Sequence, residues 1–155
     1  MQNRPRSIGK LPALALGAIA PFIMGNSVDA RQDVVVTVVD LRSTEGTVLA
    51  CLTANHGAFP DCGEDQNAQR RVVRANSRVT IVFNDVAPGE YAISLLHDEN
   101  GNGKADTTLF LPKEGFGFSR DAKARFGPPR FSSAAFRVEN DAPVYQTIRM
   151  RYIAR

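Results

Sequence analysis

Short apolar segments with strand-like patterns, separated by turn signals, constrain the fold of this chain more than any other feature. Residues 33–41, DVVVTVVDL, are β-branched on both faces, which predicts a strand buried on both sides. Val79, Ile81 and Phe83 alternate with Arg78, Thr80 and Val82, the period of two that is typical of a half-buried strand. Further strands are predicted at residues 46–53, 91–95, 131–138 and 145–152.

Six or seven such segments and the absence of a convincing amphipathic helix predict an all-β chain. The segment from about residue 107 to 130 is glycine-rich and irregular in pattern. At 155 residues the chain is long enough for one domain. The predicted architecture is a single antiparallel β-sandwich of about seven strands with one core.

The first 30 residues have the pattern of a secretory signal peptide. Three basic residues precede a fifteen-residue apolar run at residues 11–25, and Val28-Asp29-Ala30 offers small residues for cleavage. The alternative is a membrane anchor, which needs roughly 20 apolar residues, and this run contains two prolines. We therefore predict a signal peptide at residues 1–30, an exported domain at residues 31–155 in the periplasm or outside the cell, and no membrane span after cleavage.

The charge balance gives no support for nucleic-acid binding. Residues 1–30 carry three basic side chains and one acidic one, so cleavage lowers the formal net charge from +3 to +1. The basic isoelectric point is in part a property of the targeting segment. We predict an envelope protein or glycan as the partner, and no nucleic acid.

Two cysteines, Cys51 and Cys62, lie eleven positions apart. In an exported protein such a pair predicts a disulfide, which would stabilise the fold by about 2–3 kcal/mol. The alternative is a catalytic thiol with His56 or His97 as its base. Nothing around Cys51 resembles a nucleophile turn, so the disulfide is favoured.

Residues 97–106, HDENGNGKAD, have the composition of a calcium-binding loop. The predicted oxygen ligands are Asp98, Asn100, Asn102, the Lys104 carbonyl and Asp106. Leu109 occupies the twelfth position, where a bidentate glutamate is expected, and Glu114 or water would have to replace it. The site would be weak and structural, with a dissociation constant of roughly 0.1–1 mM. The alternative is an Asx-rich turn that holds no ion.

Aromatic and basic residues alternate in the segment that follows. Phe116, Phe118, Arg120, Arg125 and Phe126 form the predicted partner-binding surface. The alternative is a long loop whose phenylalanines plug the open end of the sandwich while its charges face water.

Three motifs make most of the chain after residue 30 resemble a family of small exported bacterial proteins carried as a domain of unknown function. They are H-D-E-N-G-N-G-K-x-D at residues 97–106, P-K-E-G-F-G-F-S at residues 112–119, and F-G-P-P at residues 126–129. The resemblance implies an exported β-sandwich of prealbumin-like or collagen-adhesin B-like type. It implies no established activity.

Two functional hypotheses follow. The first is a non-catalytic binding or structural module at the bacterial cell envelope, stabilised by calcium if the loop holds an ion. The second is a hydrolase on a transthyretin-like fold. The related hydrolases of purine breakdown end in Tyr-Arg-Gly-Ser and use several histidines, whereas this chain ends RMRYIAR and has two. We therefore assign no catalytic residues.

Overall fold

The computed structural model describes residues 30–105, 107–108 and 111–153. The predicted signal segment lies outside these residues apart from Ala30, and so do Asp106 and Leu109. In the part of the chain that is described, no helix is long and apolar enough to cross a membrane.

Strands dominate the described residues, as the sequence predicts. They are β1 (Gln32–Val39), β2 (Thr47–Thr53), β3 (Gln69–Arg74), β4 (Val79–Val86), β5 (Gly89–Asp98), β6 (Thr107–Thr108), β7 (Leu111–Pro112), β8 (Gly115–Phe118), β9 (Phe136–Val138) and β10 (Val144–Arg149). A 3₁₀ turn covers Ser119–Asp121, and one short helix, α1, covers Phe131–Ala134.

The strands form two main sheets. Sheet I has the order β10-β1-β4, and sheet II has the order β3-β2-β5-β8 with β9 paired to the start of β5. Strands β6 and β7 form a separate two-stranded hairpin. This arrangement confirms the prediction of an all-β, sandwich-like fold with little helix.

One strand pair differs from the antiparallel pattern. β1 runs parallel to β10, with Val34 opposite Val144 and Val39 opposite Arg149. Side chains alternate with a period of two in parallel and antiparallel strands alike. The alternation in the last segment therefore predicts a strand but not its direction relative to β1. The connection at residues 139–143 carries the chain from β9 in sheet II to β10 in sheet I, and β10 then runs in the same direction as β1.

The core lies between the two sheets. Val34, Val36 and Val38 of β1 are fully buried there, while the intervening residues of β1 are only half-buried. The predicted burial on both sides is therefore wrong for β1, because the outer face of sheet I has no covering layer in the described chain. Ile81 and Phe83 of β4 are buried in the same core, as their alternation predicts.

The outer face of sheet II is buried over part of its area by a second apolar cluster. Phe131 and Ala134 of α1 pack there with Ala92 and Phe118. The prediction of a strand over residues 131–138 is wrong for its first half, which is helical. Phe131 and Ala134 are spaced by one helical turn, so both reach this face.

The two sheets are also joined at their edges. Beyond β10, the backbone N–H of Arg151 donates to the Phe116 carbonyl at 2.8 Å, and that of Phe116 donates to the Arg151 carbonyl at 3.0 Å. On the other side, the Gln69 and Arg71 side chains of β3 donate to carbonyls of β4 at 2.9 and 3.1 Å. Both lateral edges of the sandwich are thus occupied.

Gly117 allows the close approach of sheet II to β10. A Cβ at this position would lie 2.7 Å from Cγ2 of Ile148 and 3.0 Å from the Arg149 carbonyl. Gly117→Ala should therefore lower the free energy of unfolding by about 1–3 kcal/mol through overpacking. Gly63→Ala is the matched control, because a Cβ there meets nothing within 4 Å. Urea unfolding of both variants tests this, and an equal effect at the two positions would contradict the packing described.

Candidate functional site

Four apolar side chains form a row across the outer face of sheet II. Leu49 pairs with Val72 on β3 and with Leu96 on β5, and Leu96 pairs in turn with Phe116 on β8. Directly paired residues of antiparallel strands point to the same face of a sheet. Val72 is 66 % exposed, and the other three side chains are half-buried. We call these four residues the apolar row.

The apolar row lies in a surface groove of about 510 Å³. Pro60 and Asp61 of the 54–68 loop line it on one side, and Gly103 and Ala105 of the 99–105 loop also contribute to it. The loops and the short helix that pack on the outer face of sheet II thus leave the apolar row accessible to solvent. Concave sites with mostly apolar linings are the usual form of a ligand site.

The 54–68 loop is fixed to the sheet by a disulfide. Cys51 of β2 is bonded to Cys62, with a Cα–Cα distance of 6.5 Å, which confirms the predicted bridge. The thiol alternative is therefore wrong for this pair. The Ser94 hydroxyl also donates a hydrogen bond to the Pro60 carbonyl. Pro60, which lines the groove, is thus attached to β5 within two residues of the disulfide.

Polar contacts fix the rest of the 54–68 loop. The Thr53 hydroxyl and the Asn67 backbone N–H both donate to the Asp65 carboxylate, and together they lower the pKa of Asp65. Arg70 of β3 donates to the carbonyls of Cys62 and Asp65. Side chains of three strands of sheet II, β2, β3 and β5, therefore hold this loop.

The 99–105 loop is organised by Asp98, which ends β5 and is only 1 % exposed. Its two carboxylate oxygens accept the backbone N–H groups of Asn102 at 3.1 Å and Gly103 at 2.7 Å. The side-chain oxygens of Asn100 and Asn102 accept N–H groups two residues further along. These are the hydrogen bonds of an Asx-rich turn.

A cation at this loop would share the Asp98 carboxylate with these two N–H groups. An ionised carboxylate has about four lone-pair sites, and each Asp98 oxygen uses one of them for an N–H group. No group of three or more histidine, cysteine or acidic side chains is placed to hold a metal among the described residues. The predicted ligand Asp106 lies outside those residues, so calcium binding stays a prediction.

His97 is buried at the end of β5 and has a partner on each ring nitrogen. Nε2 lies 2.9 Å from the Glu45 carbonyl and Nδ1 lies 2.7 Å from the Tyr152 hydroxyl. In the neutral ring, Nε2–H donates because a carbonyl only accepts, and Nδ1 accepts the hydroxyl proton. The imidazole thus connects the turn before β2 with the C-terminal segment, and both of its ring nitrogens are engaged by protein groups.

An ion pair closes this end of the sandwich. Arg42 binds the Glu99 carboxylate, which also accepts the Ser43 hydroxyl at 2.7 Å. The Arg42 guanidinium lies 4.5 Å from the centre of the Tyr152 ring, a cation–π distance. The hydrogen bond from Arg42 lowers the pKa of Glu99, while burial raises the pKa of Tyr152.

The residues predicted as a partner-binding surface do not lie together. Phe116 and Phe118 line the groove, and Phe118 is largely buried. Arg120 belongs to the 3₁₀ turn and donates to the Ala135 carbonyl at 3.2 Å. Arg125 and Phe126 are exposed on the following loop and do not line the groove. His56, also in a loop, stacks on Phe131 with ring centres 3.9 Å apart.

Sequence reasoning missed the other members of the apolar row. β3 reads QRRVVR, in which Val72 and Val73 are adjacent and the alternation is too weak to predict a strand. Leu49 lies in a predicted strand and Leu96 lies one residue beyond another, but the face that each occupies depends on cross-strand register. A slip of one residue would place them in the core instead.

The chain belongs to a family of bacterial proteins described as "Uncharacterized protein conserved in bacteria (DUF2141)", whose family model matches residues 36–146. This match includes the apolar row, the disulfide and the 99–105 loop. No curated protein and no solved structure shows significant similarity to the chain.

The Arg42–Glu99 pair predicts a specific acid response. Because the folded pKa of Glu99 is below its unfolded value, its stabilising effect is present at neutral pH. This effect declines once the pH falls below the ordinary glutamate value of about 4.3, and it is lost below the folded pKa. Glu99→Gln should therefore flatten the acid limb of a plot of unfolding free energy against pH. Glu64→Gln, at an exposed position, is the control, and an equal flattening in both variants would contradict the assignment.

Proposed function

We propose that the protein is a non-catalytic binding module of the bacterial cell envelope and that the groove over the apolar row is its ligand site. The observation that carries this proposal is the incomplete cover of sheet II. Apolar side chains occupy its outer face from β3 to β8, yet the 54–68 loop and α1 bury only part of them. An accessible apolar strip between two fixed loops is typical of a recognition surface.

The fixed loops favour binding without a large rearrangement. The disulfide and the Ser94 hydrogen bond hold the 54–68 loop, and the Asp98 carboxylate holds the 99–105 loop. A site that is already ordered loses less conformational entropy when a ligand binds. These contacts therefore support a role for the loops as preorganised walls.

A location outside the cytoplasm is part of the proposal. The disulfide supports it, since such bonds persist in oxidising compartments, and so does the signal-like pattern of residues 1–30. We propose residues 31–155 as the exported domain, in the periplasm or secreted. We also propose that the sandwich is of prealbumin-like type, as the resemblance implies.

The hydrolase alternative is less well supported. His97, the histidine nearest the acidic loop, has both ring nitrogens engaged by Glu45 and Tyr152. A general base needs a ring nitrogen within reach of the substrate. The buried network around His97 is better suited to fixing the C-terminal segment than to proton transfer.

The apolar dye 1-anilinonaphthalene-8-sulfonate provides a direct test of the groove. Val72→Glu puts a carboxylate into the groove at a position exposed enough to leave the fold intact. It should weaken dye binding about tenfold, or about 1.4 kcal/mol. Tyr145→Glu is the matched control, because Tyr145 is 74 % exposed and lies on sheet I. Dye affinity that is unchanged in Val72→Glu, or reduced equally in both variants, would overturn the proposed site.

We further propose that the loop after His97 binds calcium weakly and that the ion stabilises it. With a dissociation constant of roughly 0.1–1 mM, calcium at about 10 mM should stabilise the folded state by about 1.4–2.7 kcal/mol. Thermal unfolding in calcium, magnesium and chelator measures this effect. The rise in melting temperature should be specific for calcium and absent in Asp98→Asn, Asp106→Asn.

The calcium response, and not the baseline stability, is the decisive quantity in this comparison. Asp98→Asn also weakens the hydrogen bonds to Asn102 and Gly103, so the double variant unfolds more easily with or without the ion. Asp141→Asn, at an exposed position, should keep the full response. If calcium has no effect on the native protein, the loop is an Asx-rich turn alone.

A further inference from the structure

We infer that the groove binds one fatty-acid anion with a straight chain of about twelve carbons. This inference rests on the proposed function, because it names the ligand class of the same groove. Three properties of the groove carry it: the chemistry of its floor, its length, and the difference between its two ends.

The floor offers apolar contact without hydrogen-bonding groups. The apolar row consists of valine, leucine and phenylalanine side chains, and β2 and β5 are each paired on both sides, so their backbone groups are used within the sheet. A peptide or glycan lying on this floor would bury polar groups without partners, which is costly. A hydrocarbon chain has no such groups and fits the floor.

The length of the apolar row fits a medium-length chain. The row runs perpendicular to the strands from Val72 on β3 to Phe116 on β8. It crosses three strand spacings of about 4.8 Å, or about 14 Å in total, which matches an extended chain of about twelve carbons.

The two ends of the row differ in charge. On β3, Arg70 and Arg74 flank Val72 on the same face, since side chains two residues apart point the same way. The side chain of Arg74 is exposed and forms no hydrogen bond or ion pair with any described residue, so its guanidinium is available to an anion. Asp61 adds one acidic group to the lining, and the guanidinium of Arg70 binds the carbonyls of Cys62 and Asp65.

The opposite end of the row is aromatic. Phe116 lies beside Phe118, with ring centres 5.9 Å apart, and Phe118 packs against Phe59 of the 54–68 loop. A ligand with a carboxylate at the β3 end and a hydrocarbon tail directed toward β8 matches this polarity. The loops on either side limit the width of the groove, which favours a single chain from solution over a flat bilayer surface.

Displacement of the dye by saturated carboxylates of six to sixteen carbons, below their micelle concentrations, tests the inference. Affinity should rise about twofold to fourfold for each added methylene and level off near about twelve carbons. Arg74→Gln should weaken dodecanoate about twofold to fivefold and leave 1-dodecanol unaffected. Arg137→Gln, at an exposed arginine on β9, is the control and should change neither ligand.

Several results would overturn the inference. One is equal binding of dodecanoate and 1-dodecanol with no effect of Arg74→Gln, and another is the absence of any dependence on chain length. Binding to anionic phospholipid vesicles without binding to monomeric dodecanoate would indicate a membrane surface instead. Concentration-dependent dimerisation that Val72→Glu abolishes would indicate a second copy of the chain. If the dye still depends on Val72 but no fatty acid displaces it, the inference fails and the proposed binding function stands.

Discussion

Sheet II carries apolar side chains on both of its faces, and the rest of the structure depends on how they are covered. Its inner face packs against sheet I in the main core, where Leu52, Ile93 and Leu95 are buried. Among the described residues, its outer face is covered in part by the 54–68 loop, by α1 and by the segment of Ala122 and Ala124. Because burial of apolar area drives folding, a partial cover leaves a strip whose contact with water is unfavourable. That strip is the groove.

The connecting segments form the borders of this strip. A disulfide and a hydrogen bond from Ser94 fix the 54–68 loop, while the Asp98 carboxylate shapes the 99–105 loop. Behind Asp98, His97 and Tyr152 connect β5 to the C-terminal segment. The conspicuous acidic loop and the histidine beside it therefore have clear structural roles, whether or not the loop also holds calcium. Their hydrogen bonds fix the end of β5 and the 99–105 loop beside the groove.

Local patterns in the sequence predict the all-β fold class and the disulfide. They do not predict β3 or β8, because QRRVVR lacks clear alternation and GFGF is half glycine. The glycines of β8 have a tertiary explanation, since Gly117 packs against Ile148 from sheet I. The apolar row is likewise a product of register across four strands, which no single segment contains. The predicted partner-binding surface grouped five residues that are close in sequence, although the fold places only Phe116 and Phe118 at the groove.

Intermolecular nuclear Overhauser effects between dodecanoate and the methyl groups of the protein test the central claim most directly. Leu49, Val72 and Leu96 should show contacts to the chain, and the residue nearest the carboxylate end of the ligand should be Val72. Val35 and Val82 lie on the outer face of sheet I and are the internal control. Contacts to those two residues, or contacts spread over both sheets, would contradict the account.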